Sequence, residues 1–515
     1  MAIKLSILVL FVAVTVAIGI WTRRSATSVD GFVLAGRNVG PWLTAFAYGT
    51  SYFSAVVFIG YAGQFGWKYG MSATWAGIGN AIIGSLLAWV ILGSRTRRMT
   101  RALDSQTMPE FFGTRYGSKG LRIAAAFIIF VFLVPYTASV YNGLSRLFEM
   151  AFGLPYEACI IGMAVITCIY VVLGGYKATV INDTLQGVIM LVSIVAVILA
   201  VLGANGGLGN ATQMMAEIGS ESEGIAEGAL ASLFGPDWFG LLTVVLLTSL
   251  GTWGLPQMVQ KFYAIRDDAA VKRGAIISTV FALVVAGGSY FLGGFGRLYA
   301  DQIAYSASGV PVYDSIVPTM LSTVPELLIG VVVVLVLSAS MSTLSSLVLT
   351  SSSTLTLDFL KGNVVKKMDD QQSVVWMRGF IVLFVALSAV IALIQYNSSI
   401  TFIAQLMGIS WGALAGAFLA PFLYGLYWKG ATPASVWVSF VFGVGLTVAN
   451  MIWGFVGSPL LAGVIAMVGG LVIVPVVSLF TKKTNPQCIE AAFSGLKNDG
   501  VSEVPVPQVG PDPTA

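Results

Sequence analysis

Histidine is absent from this sequence. That excludes histidine zinc sites, serine–histidine triads and histidine proton relays at once. Cysteine is scarce. Cys159, Cys168 and Cys488 lack metal-ligand spacing, and the first two fall inside apolar stretches, so they define no disulfide framework or redox compartment. Charge is scarce too: 10% of residues are charged and 57% are hydrophobic, whereas soluble globular proteins carry about 25% charged residues. This is the composition of an integral membrane protein. A net charge of +4, spread over the polar segments, gives no basis for nucleic-acid binding. Glycine is abundant at 58 residues, as it is in membrane helices.

A bilayer-spanning helix needs about 20 mostly apolar residues. Thirteen stretches qualify: 3–22, 41–66, 71–93, 122–148, 156–174, 181–203, 238–262, 274–298, 326–352, 377–396, 399–426, 432–454 and 458–480. The first is followed by Arg23 and Arg24 and by no small-residue cleavage pattern, so it reads as a retained span. An N-terminus outside puts all of the 27 basic residues on the inner side except Lys4, Lys68, Arg146 and Arg297. Thirteen spans then put the C-terminus in the cytoplasm. The segment 204–237 becomes an outer loop with short helices only. The proline-bearing tail 481–515 reads as a disordered cytoplasmic extension. No separate soluble domain is expected.

The richest polar feature at membrane depth is Ser338-Ala339-Ser340-Met341-Ser342-Thr343-Leu344-Ser345-Ser346. On a helix, Ala339, Thr343 and Ser346 share one stripe, and Ser338, Ser342 and Ser345 the adjacent one. Hydroxyls and carbonyls are hard, neutral donors of the kind that replace water around a small cation such as Na⁺. Serine and threonine also let helices pack closely and bond their own carbonyls. Composition leaves both readings open.

Two spans look broken. Span 41–66 holds Gly49-Thr50-Ser51-Tyr52-Phe53-Ser54 at mid-depth, and span 238–262 holds Gly251, Gly254 and Pro256. Freed backbone carbonyls in lipid must find partners, so broken helices tend to line a cavity. Ser51, Tyr52, Ser54, Thr248, Thr252 and Trp253 thereby become candidates for solute contact. Each broken span opens a block of five, 41–203 and 238–426, and an odd number inverts the second block against the first. Interrupted helices at matching positions of inverted halves point to a secondary transporter.

The chain resembles the sodium:solute symporter family. Four features carry the likeness: Phe32-Val-Leu-Ala-Gly-Arg37, the first broken span, Gly174-Gly175-Tyr176-Lys177-Ala178 running to Asn182-Asp183-Thr184-Leu185-Gln186, and Met341-Ser-Thr-Leu-Ser345. The resemblance implies an all-α, five-plus-five inverted-repeat core with a leading helix within 1–40 and two trailing helices within 427–480. By position it implies a main sodium site of the carbonyls of Thr50, Phe53 and Ala339 with the hydroxyls of Ser342 and Thr343. Family members that couple two sodium ions carry an acid and a serine pair where this chain has Asp183, Ser345 and Ser346. Asp183 also suits a helix N-cap. Two departures bear on the solute. Thr248 and Thr252 stand where proline-type members have aromatics, and Tyr136 stands where sialic-acid members have an arginine.

Tyr136, Ser139 and Gln405 complete the solute candidates, and Arg146 and Glu149 read as a structural pair. The expected function is sodium-coupled import of a small polar organic solute, of amino-acid or monocarboxylate type, by alternating access. A sugar or other neutral solute is the alternative. An embedded enzyme is disfavoured by the lack of histidine and of paired intramembrane acids, and a channel by the lack of filter loops or charged rings. The expected partners are the solute, sodium ions and the lipid of a cell membrane (inner or plasma), with the chain as a monomer.

Overall fold

Where the helices stop is decided by a few residues that cannot continue them. The computed structural model describes residues 2–306, 309–322, 324–398 and 403–496 and is helical almost throughout, with no strand among the described residues. Ten helices are long and apolar enough to cross a membrane, or eleven if one bent pair counts as a single span. Thirteen separate spans are therefore not seen as such. Two of the ten, Val56–Ala102 and Tyr156–Ala204, run to 47 and 49 residues. At about 1.5 Å per residue, each is roughly twice the ~30 Å hydrocarbon core. Each contains a glycine in a backbone region that L side chains rarely enter: Gly70 at φ 61, ψ −140 and Gly175 at φ 56, ψ −154. A Cβ on Gly70 would lie 2.1 Å from the Leu230 carbonyl oxygen, and one on Gly175 2.9 Å from the Phe32 ring.

Both expected breaks are present. Helix Pro41–Tyr52 ends at Phe53, which is extended at φ −81, ψ 116. Just before it, Thr50 and Ser51 donate back to the carbonyls of Phe46 and Ala47 at 2.8 and 2.6 Å. Such back-bonding competes with regular helix. Ser54 then restarts the chain: its hydroxyl accepts the Val56 N–H at 3.2 Å, and its carbonyl accepts from Val57 and Phe58 at 3.0 Å. The second break has another cause. Proline disfavours helical backbone in the residue before it. Leu255 is accordingly extended at φ −80, ψ 121, and Pro256 opens helix Pro256–Ala264, bent 47° from Trp238–Gly254.

The far ends of the broken helices are tied to each other. Val39 N–H donates to the Ala264 carbonyl at 3.1 Å, and Arg266 N–H returns to the Val39 carbonyl at 3.1 Å. Arg101 clamps this junction through the carbonyls of Arg37, Ile265 and Arg266, at 2.6, 3.2 and 3.2 Å. Nearby, Asp358 is buried between Arg122 Nε at 2.7 Å and the Thr107 hydroxyl at 2.6 Å, and Arg122 also reaches Glu110 at 2.9 Å. At the end of helix Lys119–Phe152, Arg146 and Glu149 pair at 3.5 Å, as expected.

Two of the cations counted on the inner side, Lys261 and Arg115, are buried, at 1% and 0% exposed. Arg115 binds the carbonyls of Gly425 and Trp428, both at 3.1 Å. The tail 481–515 is not disordered throughout. Pro486–Ser494 is a helix that starts at a proline and buries Cys488, Ala491, Ala492 and Phe493. Cys488, Ala491 and Ala492 share one apolar face at helical spacing, with Phe493 at its flank, and the surrounding prolines obscure the pattern. Residues 497–515 lie outside the described part.

Candidate functional site

Helix Glu326–Thr354 runs past the first break with every residue from Ser338 to Ser346 buried. Thr343 Oγ1 lies 3.1 Å from the Ala339 carbonyl of its own helix. It lies 3.3, 3.4 and 3.3 Å from the carbonyls of Thr50, Ser51 and Phe53 across the gap. Ser342 Oγ lies 3.1 Å from the carbonyls of Thr50 and Ala339. Two hydroxyls carry only two protons, yet they face four carbonyl oxygens. Two of those oxygens receive no proton from this pair, and the hydroxyl lone pairs are also turned among acceptors. The nest is rich in neutral oxygen and poor in positive charge. Among the described residues no three His, Cys, Asp or Glu side chains converge as a metal cage, so the nest suits a monovalent rather than a divalent cation. All five groups expected at the main site meet here.

One turn along the same helix the arrangement differs from expectation. Ser345 Oγ donates to the Ser342 carbonyl of its own helix at 2.9 Å. Ser346 Oγ accepts from Lys261 Nζ at 3.0 Å and lies 2.7 Å from Ser51 Oγ. Lys261 sits on Pro256–Ala264, just past the second break, with Nζ 5.1 Å from the centre of the Tyr176 ring. Asp183 lies inside helix Tyr156–Ala204, two turns beyond Gly175, so it is not an N-cap. It is fully buried, and neither carboxylate oxygen has a hydrogen-bond partner among the described residues. Its electrostatic partner is Lys261. Lys261 was the missed residue. A lysine five positions after a proline, inside an apolar half-helix, is itself a signal of a functional interior charge.

The other side of the first break carries an aromatic cluster. Asn80 donates to the Tyr52 hydroxyl and accepts from Ser249 Oγ at 3.2 Å. The Trp411 ring lies 5.6 Å from that of Tyr52 and 5.9 Å from that of Tyr136. The Tyr136 hydroxyl approaches Trp411 and Ser54, and Tyr52 approaches Thr248. Tyr61 and Tyr290 lie near the same group. Among the described residues, the Tyr61, Tyr136 and Tyr290 hydroxyls and Trp411 Nε1 are buried without a completed hydrogen bond. Buried donors of this kind are rare unless something else accepts from them.

Tyr52, Ser54, Tyr136 and Thr248 are thus brought together as expected. Thr252 and Trp253 are not free for solute: they donate to the carbonyls of Gly84 and Ile83 at 3.1 and 2.9 Å. Those carbonyls lie in a π-helical stretch, Asn80–Leu87, whose altered ladder leaves acceptors available. Ser139 donates to the Tyr136 carbonyl at 2.6 Å, and Ser51 faces Ser346. Gln405 is half-buried at the start of helix Ile403–Tyr427, without a hydrogen bond into the cluster. Asn80, Tyr61, Tyr290 and Trp411 were missed. Only Asn80, an amide within an apolar run, gave a sequence signal.

The profile of the sodium:solute symporter family matches residues 32–443. The chain belongs to that family. An osmoregulated proline transporter of Bacillus subtilis is 28% identical over 490 residues, 90% of this chain and 92% of that protein. A sodium/proline symporter of Staphylococcus aureus is 30% identical over 442 residues, 84% of this chain and 83% of that one. Among solved structures, a substrate-bound, outward-open Na⁺-coupled sialic acid symporter aligns with a TM-score of 0.76 at 16% identity, covering 94% of this chain and 99% of that one. A nucleobase-cation-symport-1 family transporter aligns at 0.51 and 14% identity, over 90% and 98%. These likenesses give the inverted-repeat transporter fold. As a sodium:solute symporter, the chain is a multi-pass membrane transporter that couples sodium to the movement of a small solute.

Proposed function

We propose that this symporter imports a small polar organic solute of amino-acid or monocarboxylate type, with Na⁺ held by the Thr50, Phe53 and Ala339 carbonyls and the Ser342 and Thr343 hydroxyls. The observation that carries this reading is the excess of carbonyl oxygens around Thr343 Oγ1, which spans the first break. An ion there draws helix Glu326–Thr354 and the broken helix together. It thereby favours one of the two states of the cycle, and solute favours closure. Transport, not catalysis, is the activity assigned.

The solute site is the cluster of Tyr52, Ser54, Asn80, Tyr136, Thr248 and Trp411. Its unpaired groups include O–H and N–H donors, which suit the oxygens of a carboxylate. The half-helix Pro256–Ala264 begins beside this region and adds its positive end. Relatives named for proline make an amino acid a natural first candidate. Thr248 and Thr252, in place of the aromatics of proline-type members, argue for a different one. The same donors accept sugar oxygens, which keeps a neutral solute as the second reading. The chain acts as a monomer in the cell membrane, N-terminus outside and C-terminus cytoplasmic, with thirteen crossings.

A thermal-shift screen of amino acids, monocarboxylates and sugars on the purified protein, with and without sodium, tests this. Sodium is expected to stabilise the protein, and one solute class to add to that only when sodium is present. Stabilisation by solute that is indifferent to sodium would count against the proposal.

A further inference from the structure

We infer that Lys261 is the resident cation at the position where a second sodium ion was expected, so that this symporter binds a single sodium ion. The inference rests on the sodium-coupled reading above and deepens it.

The expected ligands were the Asp183 carboxylate and the Ser345 and Ser346 hydroxyls. One of them, Ser346, already has an ammonium as its partner. Ser345 donates to its own helix at the Ser342 carbonyl. Ser346 Oγ accepts a hydrogen bond from Lys261 Nζ at 3.0 Å and lies 2.7 Å from Ser51 Oγ, so one of its lone pairs is already given to an ammonium. Asp183 has no hydrogen bond among the described residues, and its electrostatic partner is Lys261. A carboxylate buried alone is expensive, and a cation nearby offsets part of that cost. Lys261 supplies that cation on a tether, with the face of Tyr176 beneath its ammonium. A sodium ion placed between Ser346 and Asp183 would stand beside this ammonium in a water-poor interior, where like charges repel strongly. Asp183 and Lys261 together are neutral, so they leave no net charge for a further ion to balance.

The tethered cation also joins three elements: helix Pro256–Ala264 through its own backbone, Glu326–Thr354 through Ser346, and Pro41–Tyr52 through Ser51. Two of these, Pro41–Tyr52 and Glu326–Thr354, build the main nest. A dissolved ion in the same place could leave at each turnover, and a lysine cannot.

The test needs no solute. Equilibrium binding of radiolabelled sodium to the purified protein counts ions per chain. One saturable ion is expected in the wild type, bound roughly ten- to a hundredfold more weakly in Thr343→Ala. Lys261→Ala, checked for a single symmetric peak on gel filtration, should bind two, and Lys261→Ala with Asp183→Asn should return to one. If Lys261→Ala does not yield folded protein, Lys261→Gln removes the charge at closer volume. Two ions in the wild type, or one ion in a folded, neutral Lys261 variant, would overturn the inference. No ion in the wild type would instead bring down the sodium reading on which it rests.

Discussion

Phe53 and Leu255 hold nearly the same backbone conformation, φ −81, ψ 116 and φ −80, ψ 121, at breaks in opposite halves of the chain. Their carbonyls have different fates. The Leu255 carbonyl accepts from the N–H groups of Met258 and Val259, both at 3.1 Å, so it is satisfied by the helix that follows. The Phe53 carbonyl faces Thr343 Oγ1, a hydroxyl already crowded by three others. The proline solves the second break locally, and the first is left with acceptors to spare. A single cation nest, at one break of a matched pair, follows from that asymmetry.

Removing either hydroxyl should therefore weaken sodium without unfolding the protein. In Ser342→Ala and Thr343→Ala the carbonyls of Thr50 and Ala339 lose one partner each way. An unmade buried hydrogen bond or ligand of this kind is worth about 1–3 kcal/mol, or roughly ten- to a hundredfold in sodium affinity. The sodium concentration giving half-maximal thermal stabilisation should rise accordingly in both variants. Identical curves for wild type and both variants would exclude this nest as the ion site.

The solute cluster is expected to behave separately. Tyr136→Phe removes one buried donor and leaves the ring against Trp411, 5.9 Å between centroids. If that hydroxyl donates to solute oxygen, solute affinity should fall by about 0.5–1.5 kcal/mol, more if the acceptor is charged. Sodium binding in the absence of solute should be unchanged. A Tyr136→Phe protein that transports like the wild type would move the solute site elsewhere.

The legible part of this site was its chemistry, and the hidden part was its neighbours. Pro256 announces its break because proline has no N–H to give. The first break shows in three consecutive residues that are weak in helices, Gly49, Thr50 and Ser51, and the ion nest in closely spaced hydroxyls. Lys261 was missed because it falls at the inner end of span 238–262 and was counted only toward the inner-side charge. Its burial depends on the bend at Leu255, which turns the following helix into the bundle. Trp411, Tyr61 and Tyr290 carry no sequence signal at all. Aromatics are common in membrane helices, and only the packing shows which of them share a cluster with Tyr52. The helix Pro486–Ser494 was hidden by the prolines around it, one of which begins it.

A buried ion pair away from the site offers a stability control. Asp358 has a fully buried side chain held by Arg122 at 2.7 Å and Thr107 at 2.6 Å. Asp358→Asn leaves the Arg122 charge with Glu110 alone. Breaking such a pair costs about 3 kcal/mol when both partners are buried, and somewhat less here because Arg122 is 30% exposed. The melting temperature should drop clearly, with the sodium dependence of the remaining folded protein intact. A variant as stable as the wild type would show that the pair contributes little net.

The membrane topology can be decided by parity. Ten crossings would put the two termini on the same side, and eleven or thirteen on opposite sides. Thirteen requires both over-long helices, Val56–Ala102 and Tyr156–Ala204, to cross twice, and the longer one tests half of that requirement. If it crosses twice, turning at Gly175, then Leu154 and Glu221 both face outside and Lys177 faces the cytoplasm. All three side chains are exposed, so each accepts a cysteine without disturbing the core. In a background with Cys159, Cys168 and Cys488 replaced by serine, an impermeant maleimide should label Leu154→Cys and Glu221→Cys on intact cells. Lys177→Cys should label only after permeabilisation, together with Lys483→Cys. The physical ground is length: 49 residues of helix span about 74 Å, and a ~30 Å core cannot hold that in one pass without extreme tilt. Lys177 at mid-helix would then sit at the bilayer centre, where a lone ammonium is costly. Labelling of positions 154 and 221 from opposite sides would establish a single crossing, remove the second pass at Gly175 and end the thirteen-span topology.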